Sequence, residues 1–412
     1  VSKPYIHWLP DQSTLMLQQT IALADINSGT FNAAGVNAVA DHLVQQAAGL
    51  GAQVQRIELP GYRWLADSGE WQQQPLGAAL HLHKHPNAPL QLLLMGHLDT
   101  VYGADHPFQQ VRWLDDQRLN GPGVTDMKGG LVIALHALAA LEASPLSGRI
   151  GWQWLLNPDE EIGSPCSADL IARCAASADL GLVFEPALAD GSLAGARKGS
   201  GNFSVRVSGR AAHAGREHHL GRNAIRALCD FISALDNLNG QREGVTLNPG
   251  YIHGGGAVNV VPDQAVARFN IRLEQPEDEV WCRQQLDQLQ HRINQRDGMR
   301  LELEGGFGRK PKLIEPHLKL FERLRETGAA LGLSLRWQPS GGCCDGNNLA
   351  AAGLPNIDTL GACGGAIHSA DEFLLVDSLV ERARLTAALL FELAGDTPAD
   401  WCREGRKVCS IC

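Results

Sequence analysis

The chain has 412 residues, 44% of them hydrophobic and 19% charged, with a formal net charge of −10. That length accommodates two domains, and that composition supports a sizeable core and excludes a disordered chain. The acidic balance leaves no global basic footprint for nucleic acid and no polybasic run for a membrane surface.

No apolar run reads as long enough to span a bilayer. The ten cysteines are scattered, without the spacing of a small disulfide scaffold, which points to a reducing compartment. The first residue is Val1, not Met. A cytoplasmic location is expected, or a periplasmic or secreted one if a signal peptide has been removed.

Residues 12–50 read as helix, broken at Asn27–Thr30. Ala52–Leu59 and Leu80–His85 read as strands, the second an edge strand. On it His81, His83 and His85 alternate, and without a carboxylate beside them they read as a solvated face. Pro89–Met95 reads as a buried strand. It runs into Gly96-His97-Leu98-Asp99, where alternation puts His97 and Asp99 on one face. A neutral imidazole is a common metal ligand, and a carboxylate one step away orients it.

Asp126 follows in a glycine-rich loop just before the helix Leu131–Leu141. It suits a helix cap or, beside His97, a bridging ligand whose two oxygens each meet one metal. Gly151–Leu156 is a strand ending at Asp159-Glu160-Glu161. Two consecutive carboxylates permit a split of roles, one ligand and one general base. Leu180–Phe184 is another strand, ending at Glu185. Ligands gather outside the carboxyl ends of strands in open α/β sheets, and this pattern repeats four times.

From residue 199 the order becomes strand (Asn202–Val207), helix (Gly221–Leu235), strands (Thr246–His253 and Ala265–Leu273), helix (Glu277–Gln295) and strand (Met299–Leu303). This β-α-β-β-α-β order is that of ferredoxin-like folds. His213, in Arg210–Gly215, is open between a structural and a functional role. The first pattern then returns with the helix Leu313–Leu331, the strand Leu333–Trp337, a tight loop through Gly342-Cys343-Cys344-Asp345, and the strand Pro355–Leu360. His368 follows that strand, and Asp377–Leu393 is a closing helix. The expected fold is therefore α/β: a catalytic domain with a mixed sheet flanked by helices (1–198 and 311–396), an inserted ferredoxin-like α+β domain (199–310), and a tail (397–412). The tail's Cys409 and Cys412 are spaced C-x-x-C and read as a plain terminus rather than a metal site.

His97, Asp126, Glu161, Glu185 and His368 make two imidazoles and three carboxylates, a set that suits two zinc ions. Three carboxylates and one hydroxide carry −4, which two zinc ions cancel; one zinc would leave buried negative charge. Glu160 is then free to move the proton of the attacking water. Cobalt or manganese would suit the same donors.

The stretches MGHLDTV (95–101), GPGVTDMKGG (121–130), NPDEEIGS (157–164), FEP (184–186), GRAAHAG (209–215), GGGAVNVVPD (254–263) and GGAIHSADEF (364–373) together resemble the M20 family of dizinc exopeptidases and deacylases, and within it the glutamate carboxypeptidase type. The resemblance spans about Ile26 to Gly395. It implies His97 and Glu185 on one metal, Glu161 and His368 on the other, Asp126 bridging, Asp99 orienting His97, and Glu160 as base. It also implies that the inserted domain dimerises. His213 would then reach a partner's site to stabilise the oxyanion, assisted by Asn259, and Arg272 would hold a substrate α-carboxylate. Lys198 and Arg309 lie where an acidic substrate side chain could meet them.

One departure is the Gly342-Cys343-Cys344 loop, where glycine and threonine are expected before the aspartate. It borders the expected substrate pocket and puts the glutamate preference in question. The expected activity is release of a C-terminal amino acid from N-acyl amino acids or short peptides. The alternatives are a deacylase of acetylornithine or succinyl-diaminopimelate type and a catalytically silent binding relative.

Overall fold

A computed structural model describes residues 3–407. Its main sheet has six strands: β1 (Gln53–Ile57), β2 (Ala79–Lys84), β3 (Leu90–His97), β4 (Ile150–Asn157), β5 (Leu180–Val183) and, far along the chain, β10 (Asn356–Ile357). The order is β1-β2-β4-β3-β5-β10. The last four strands run parallel, whereas β1 and β2 are antiparallel to their neighbours.

Leu92 and Leu94 of β3 face one core with the helices Ser13–Ala24, Gly129–Glu142 and Asp377–Gly395. Leu93 and Met95 face the other, against Ala168–Ala176 and Asp345–Ala351. A strand covered on both faces must be apolar throughout, which explains the unbroken run at Leu92–Met95. The segment Val124–Glu142 is, against the sequence reading, long and apolar enough to cross a membrane by length and composition, but it is buried inside the fold.

Two other sequence readings need correction. β2 lies between β1 and β4, so His81 and His83 are buried rather than solvated. His81 pairs with Gln153 at 3.1 Å, and burial pushes its pKa down to about 4. His85 instead meets Glu142 at 3.2 Å. The strand expected at Leu333–Trp337 occupies Trp337–Ser340, where it pairs with Leu193–Arg197. The apolar residues before it pack in a loop against the helix core.

The chain leaves this domain after Arg197 and returns at Lys312. Between them lie β6 (Gly199–Ser208), β7 (Thr246–Gly254), β8 (Gln264–Leu273) and β9 (Arg300–Arg309), ordered β7-β8-β6-β9 and all antiparallel. The helices Ala224–Asp236 and Pro276–Asn294 cover one face and close a separate core around Phe203, Phe231 and Phe269. The other face is polar, carrying Ser200, Asn202, Asn270 and Arg272. A hairpin of the main domain, Tyr62–Gln74, grips the inserted sheet. Asp67 accepts from Arg268 at 2.7 Å and from the Tyr251 hydroxyl at 2.6 Å.

The two crossings between domains are joined. Arg197 and Lys312 exchange backbone hydrogen bonds of 2.9 Å each. Asp358, past β10, takes Arg197 Nε at 3.0 Å and Lys312 Nζ at 2.7 Å. Lys312 and Asp358 have no solvent exposure. The described part of the tail also docks, with the Arg403 amide and the Arg406 guanidinium on Asp179. Cys409 and Cys412 lie outside the described residues.

Removing one member of a buried ion cluster strands the others. Asp358→Ala is expected to lower stability by about 3–5 kcal/mol, read from the urea midpoint. A loss below about 1 kcal/mol would mean the cluster is solvated.

Candidate metal centre

Five segments bring the site together beside the carboxyl edge of the parallel strands. His97 ends β3. Glu160 and Glu161 follow β4, Glu185 follows β5, and Asp126 sits on the loop before the helix Gly129–Glu142. His368 arrives from a small sheet, Gly364–Gly365 with Phe373–Leu375. Its φ of 62° lies in the left-handed region that few residues other than glycine adopt.

The contacts are close. Asp126 divides its oxygens, with Oδ1 3.1 Å from His97 Nε2 and Oδ2 3.2 Å from His368 Nε2. His368 Nε2 is also 3.2 Å from Glu161 Oε2, and His97 Nε2 is 3.9 Å from Glu185 Oε1. Donors bound to one zinc at about 2.0–2.2 Å stand roughly 3.3 Å apart in tetrahedral geometry. The observed spacings fit that arrangement for two ions sharing Asp126. Ligand atoms of His97, Asp126 and Glu161, and of His97, Glu160 and Glu185, form two compact groups. Glu185 Oε1 is buried without a hydrogen-bond partner. The donor set therefore fits a dinuclear centre.

Electrostatics give the same answer. Burial, then repulsion from Asp126, pushes Glu161 up to about 8. Burial raises Glu160 to about 7, and raises Glu185 well above its ordinary value with Glu160 and Asp126 adding to it. Hydrogen bonds to Asp126 and Glu161 lift His368 to about 11. Carboxylates this close and this buried are neutralised either by cations or by protons, and the cluster is therefore a ready cation site.

Asp99 joins two motifs. The His97 Nδ1 atom lies 3.0 Å from its backbone carbonyl and 3.4 Å from its Oδ1. The backbone amides of Glu160 and Glu161 donate to the Asp99 carboxylate at 3.2 Å each, and Thr30 Oγ1 at 2.7 Å. Sequence reasoning missed Glu372, which is fully buried. It accepts from the amides of Gly123, Thr125 and Asp126 at 2.9–3.1 Å and from the Tyr102 hydroxyl at 2.9 Å. The available signal was an acidic residue four positions after His368, next to Phe373.

The residues expected to meet substrate divide into two groups. Arg309 is buried, with Nη2 2.6 Å from Glu160 Oε1, 3.1 Å from Ser164 Oγ and 3.5 Å from Asp345. Lys198 is paired with Glu274 at 2.9 Å. Both charges thus already have protein partners. Arg272 has none: among the described residues no carboxylate pairs with it, and its contacts are Asn270 and Cys343. The Gly342 carbonyl accepts from Arg197 at 3.3 Å.

His213 and Asn259 are exposed on paired loops of the inserted domain, linked by Ala214 N to Asn259 O at 2.9 Å. Among the described residues neither touches the metal cluster. His213 Nδ1 accepts from the amides of Gly215 and Arg216 at 3.2 Å each, so the neutral ring carries its proton on Nε2.

The model of peptidase family M20/M25/M40 matches residues 93–392. The chain is 28% identical over 397 residues to carboxypeptidase G2 of a Pseudomonas species, covering 93% of this chain and 90% of that protein. It is 26% identical to succinyl-diaminopimelate desuccinylase of Verminephrobacter eiseniae, over 82% of this chain and 87% of that one. Similar solved folds include human carnosine dipeptidase 1 (TM-score 0.73, 15% identity, 96% and 100% coverage). Another is an M20 family metallo-carboxypeptidase from Sulfolobus solfataricus (TM-score 0.69, 18% identity, 91% and 98% coverage).

Because Glu372 holds the Asp126 loop by three hydrogen bonds from its amides, Glu372→Gln is expected to weaken divalent-metal affinity by about 10–100-fold, the effect of losing an outer-shell partner. Competition with a chromogenic chelator measures this. Unchanged affinity would remove Glu372 from that role.

Proposed function

The chain belongs to peptidase family M20/M25/M40 and is a hydrolase of the metallopeptidase type; from that premise we propose that it is a dizinc carboxypeptidase. It releases a C-terminal amino acid, glutamate foremost, from N-acyl amino acids or short peptides. The observation that carries this reading is the Asp126 carboxylate, with one oxygen toward each of two imidazoles among buried acids. Two zinc ions held by His97, Asp126, Glu161, Glu185 and His368 would supply Lewis acidity and a water of lowered pKa.

The chain's own groups do the rest. Glu160 takes the proton of the attacking water and passes it to the leaving amine. Arg309 fixes the Glu160 carboxylate through Oε1. Asp99 holds His97 in one orientation and draws Glu160 and Glu161 to it through their amides. Arg272, with its charge uncompensated, takes the substrate's free α-carboxylate as a fork. A glutamate side chain would compete with Glu274 for Lys198. That pair is partly exposed, and such pairs are worth only about 0–1 kcal/mol, so exchange costs little.

We also read the protein as a homodimer formed through the inserted domain. Strand β7 is an edge of its sheet, and Tyr251, Ile252, Val258 and Val260 stand exposed on or beside it. An unpaired apolar edge is a template for a second chain. The Nε2–H of His213 of the partner subunit would then donate to the developing oxyanion, with Asn259 assisting.

Glu160→Gln is expected to cut kcat by at least about 10²–10⁴-fold while metal analysis still finds close to two ions per chain. Turnover within about ten-fold of the parent would assign the base elsewhere. A panel of N-acyl glutamates, N-acetylornithine and N-succinyl-diaminopimelate after zinc reconstitution should show glutamate release foremost; preference for either deacylase substrate would replace the carboxypeptidase reading. Light scattering is expected to give twice the 44.3 kDa chain mass. An active species of single-chain mass would refute the dimer.

A further inference from the structure

Arg272 lies on β8, opposite Ser200 on one side and Thr246 on the other, on the polar face of the inserted sheet. Its Nε donates to Asn270 Oδ1 at 2.8 Å. Its Nη1 donates to Cys343 Sγ at 2.9 Å. Among the described residues Nη2 has no partner, and no carboxylate pairs with any of its nitrogens.

Both contacts are themselves held. The Asn270 amide nitrogen donates to Asn202 Oδ1 at 2.7 Å, Ser200 Oγ at 3.0 Å and the Gly201 carbonyl at 3.1 Å. Those three acceptors decide which way the amide faces, so its oxygen is turned to Arg272. The Cys343 thiol donates to the Lys198 carbonyl at 3.1 Å, leaving sulfur lone pairs toward Arg272. Cys343 belongs to the main domain, whereas Asn270 and Arg272 belong to the inserted one. The guanidinium is therefore gripped from both sides of the domain boundary.

We propose that Asn270 and Cys343 are positioning residues forming a charge-neutral clamp on Arg272, which tunes the protein for substrates with a free carboxylate. This rests on the reading of Arg272 given under the proposed function. The neutrality of the clamp is the physical point. A carboxylate in either place would form a strong forked pair with the guanidinium, and an incoming substrate would have to displace it. An amide oxygen and a thiol fix direction through ordinary hydrogen bonds and leave the positive charge for the ligand. The neighbouring cations differ in this respect. Arg309 faces Glu160 and Asp345, Arg197 faces Asp358, and Lys198 faces Glu274. A serine can replace the thiol as donor and acceptor, but a valine cannot. An aspartate at position 270 would keep the contact to Nε and cancel the charge.

The test is the ratio of kcat/KM for an N-acyl amino acid to that for its C-terminal carboxamide, measured on the zinc-loaded protein. Metal content and melting temperature are followed in each variant. Arg272→Ala should collapse the ratio. Asn270→Ala and Cys343→Val should each lower it about ten-fold or more through KM, the size of one hydrogen bond to a charged group. Asn270→Asp should lower it at least as far, and Cys343→Ser should restore it to within about three-fold of the parent. A merely structural role would shift both substrates together and leave the ratio unchanged.

If Arg272→Ala collapses the ratio while Asn270→Ala and Cys343→Val keep it within about two-fold, the clamp is refuted and the carboxylate reading stands. If Arg272→Ala itself leaves the ratio intact, the carboxylate reading fails and the clamp falls with it. Should Cys343→Val not fold, Asn270→Ala and Asn270→Asp decide the outcome.

Discussion

Mutual repulsion among buried carboxylates is the constraint around which the main domain is arranged. Asp126, Glu160, Glu161 and Glu185 all lie within reach of one histidine, and none is open to bulk water. Such a cluster must either bind cations or take up protons. The fold keeps it in place by anchoring Asp126, the Glu160-Glu161 pair and Glu185 to three different strand ends or loops. The parallel strands supply the anchor points because their carboxyl ends open on the same edge.

Rigid second partners turn that collection into a defined geometry. Asp99 is shared: it faces His97 from one side and accepts the amides of Glu160 and Glu161 from the other. The β3 and β4 ends are thereby locked to one another beyond their ladder. Glu372 performs the same task for the Asp126 loop, reaching it from the segment that carries His368. His97 is thus tied to Glu160 and Glu161 through Asp99, and the Asp126 loop to the His368 segment through Glu372. Second partners of this kind fix ring orientation and ligand basicity.

The sequence made much of this legible, for physical reasons. A strand buried on both faces is a continuous apolar run, and a polar residue ending such a run stands out. That is why His97, Glu160, Glu161, Glu185 and His368, each a weak signal alone, could be picked as a set. Helical spacing marked the closing helix and the β-α-β-β-α-β insertion. Strand neighbours were not legible: β2 looks like an edge strand until β1 and β4 are seen flanking it, and so His81 and His83 were misread as solvated. Glu372, Asp358 and Lys312 were overlooked because their partners lie far away in sequence. Nothing in a local pattern distinguishes a buried carboxylate that accepts four bonds from an exposed one. The shift of the Leu333–Trp337 strand has a similar origin, since apolar residues there serve the helix core rather than a sheet.

The cations of this protein sort by what they neutralise. Arg197 and Lys312 converge on Asp358 where the chain crosses between domains, and Arg309 converges on Glu160 and Asp345. These are withdrawn from solvent, and their charges are consumed by the fold. Arg272 is only half-buried, on the polar face of the inserted sheet, and meets an amide and a thiol. A protein that buries its other arginines here against carboxylates has kept this one unneutralised, at a boundary where both domains touch it. That allocation explains why the inserted sheet turns a polar face inward. Its helices complete a core of their own, and its other face is left to supply, in Arg272, a positive charge with no carboxylate partner among the described residues.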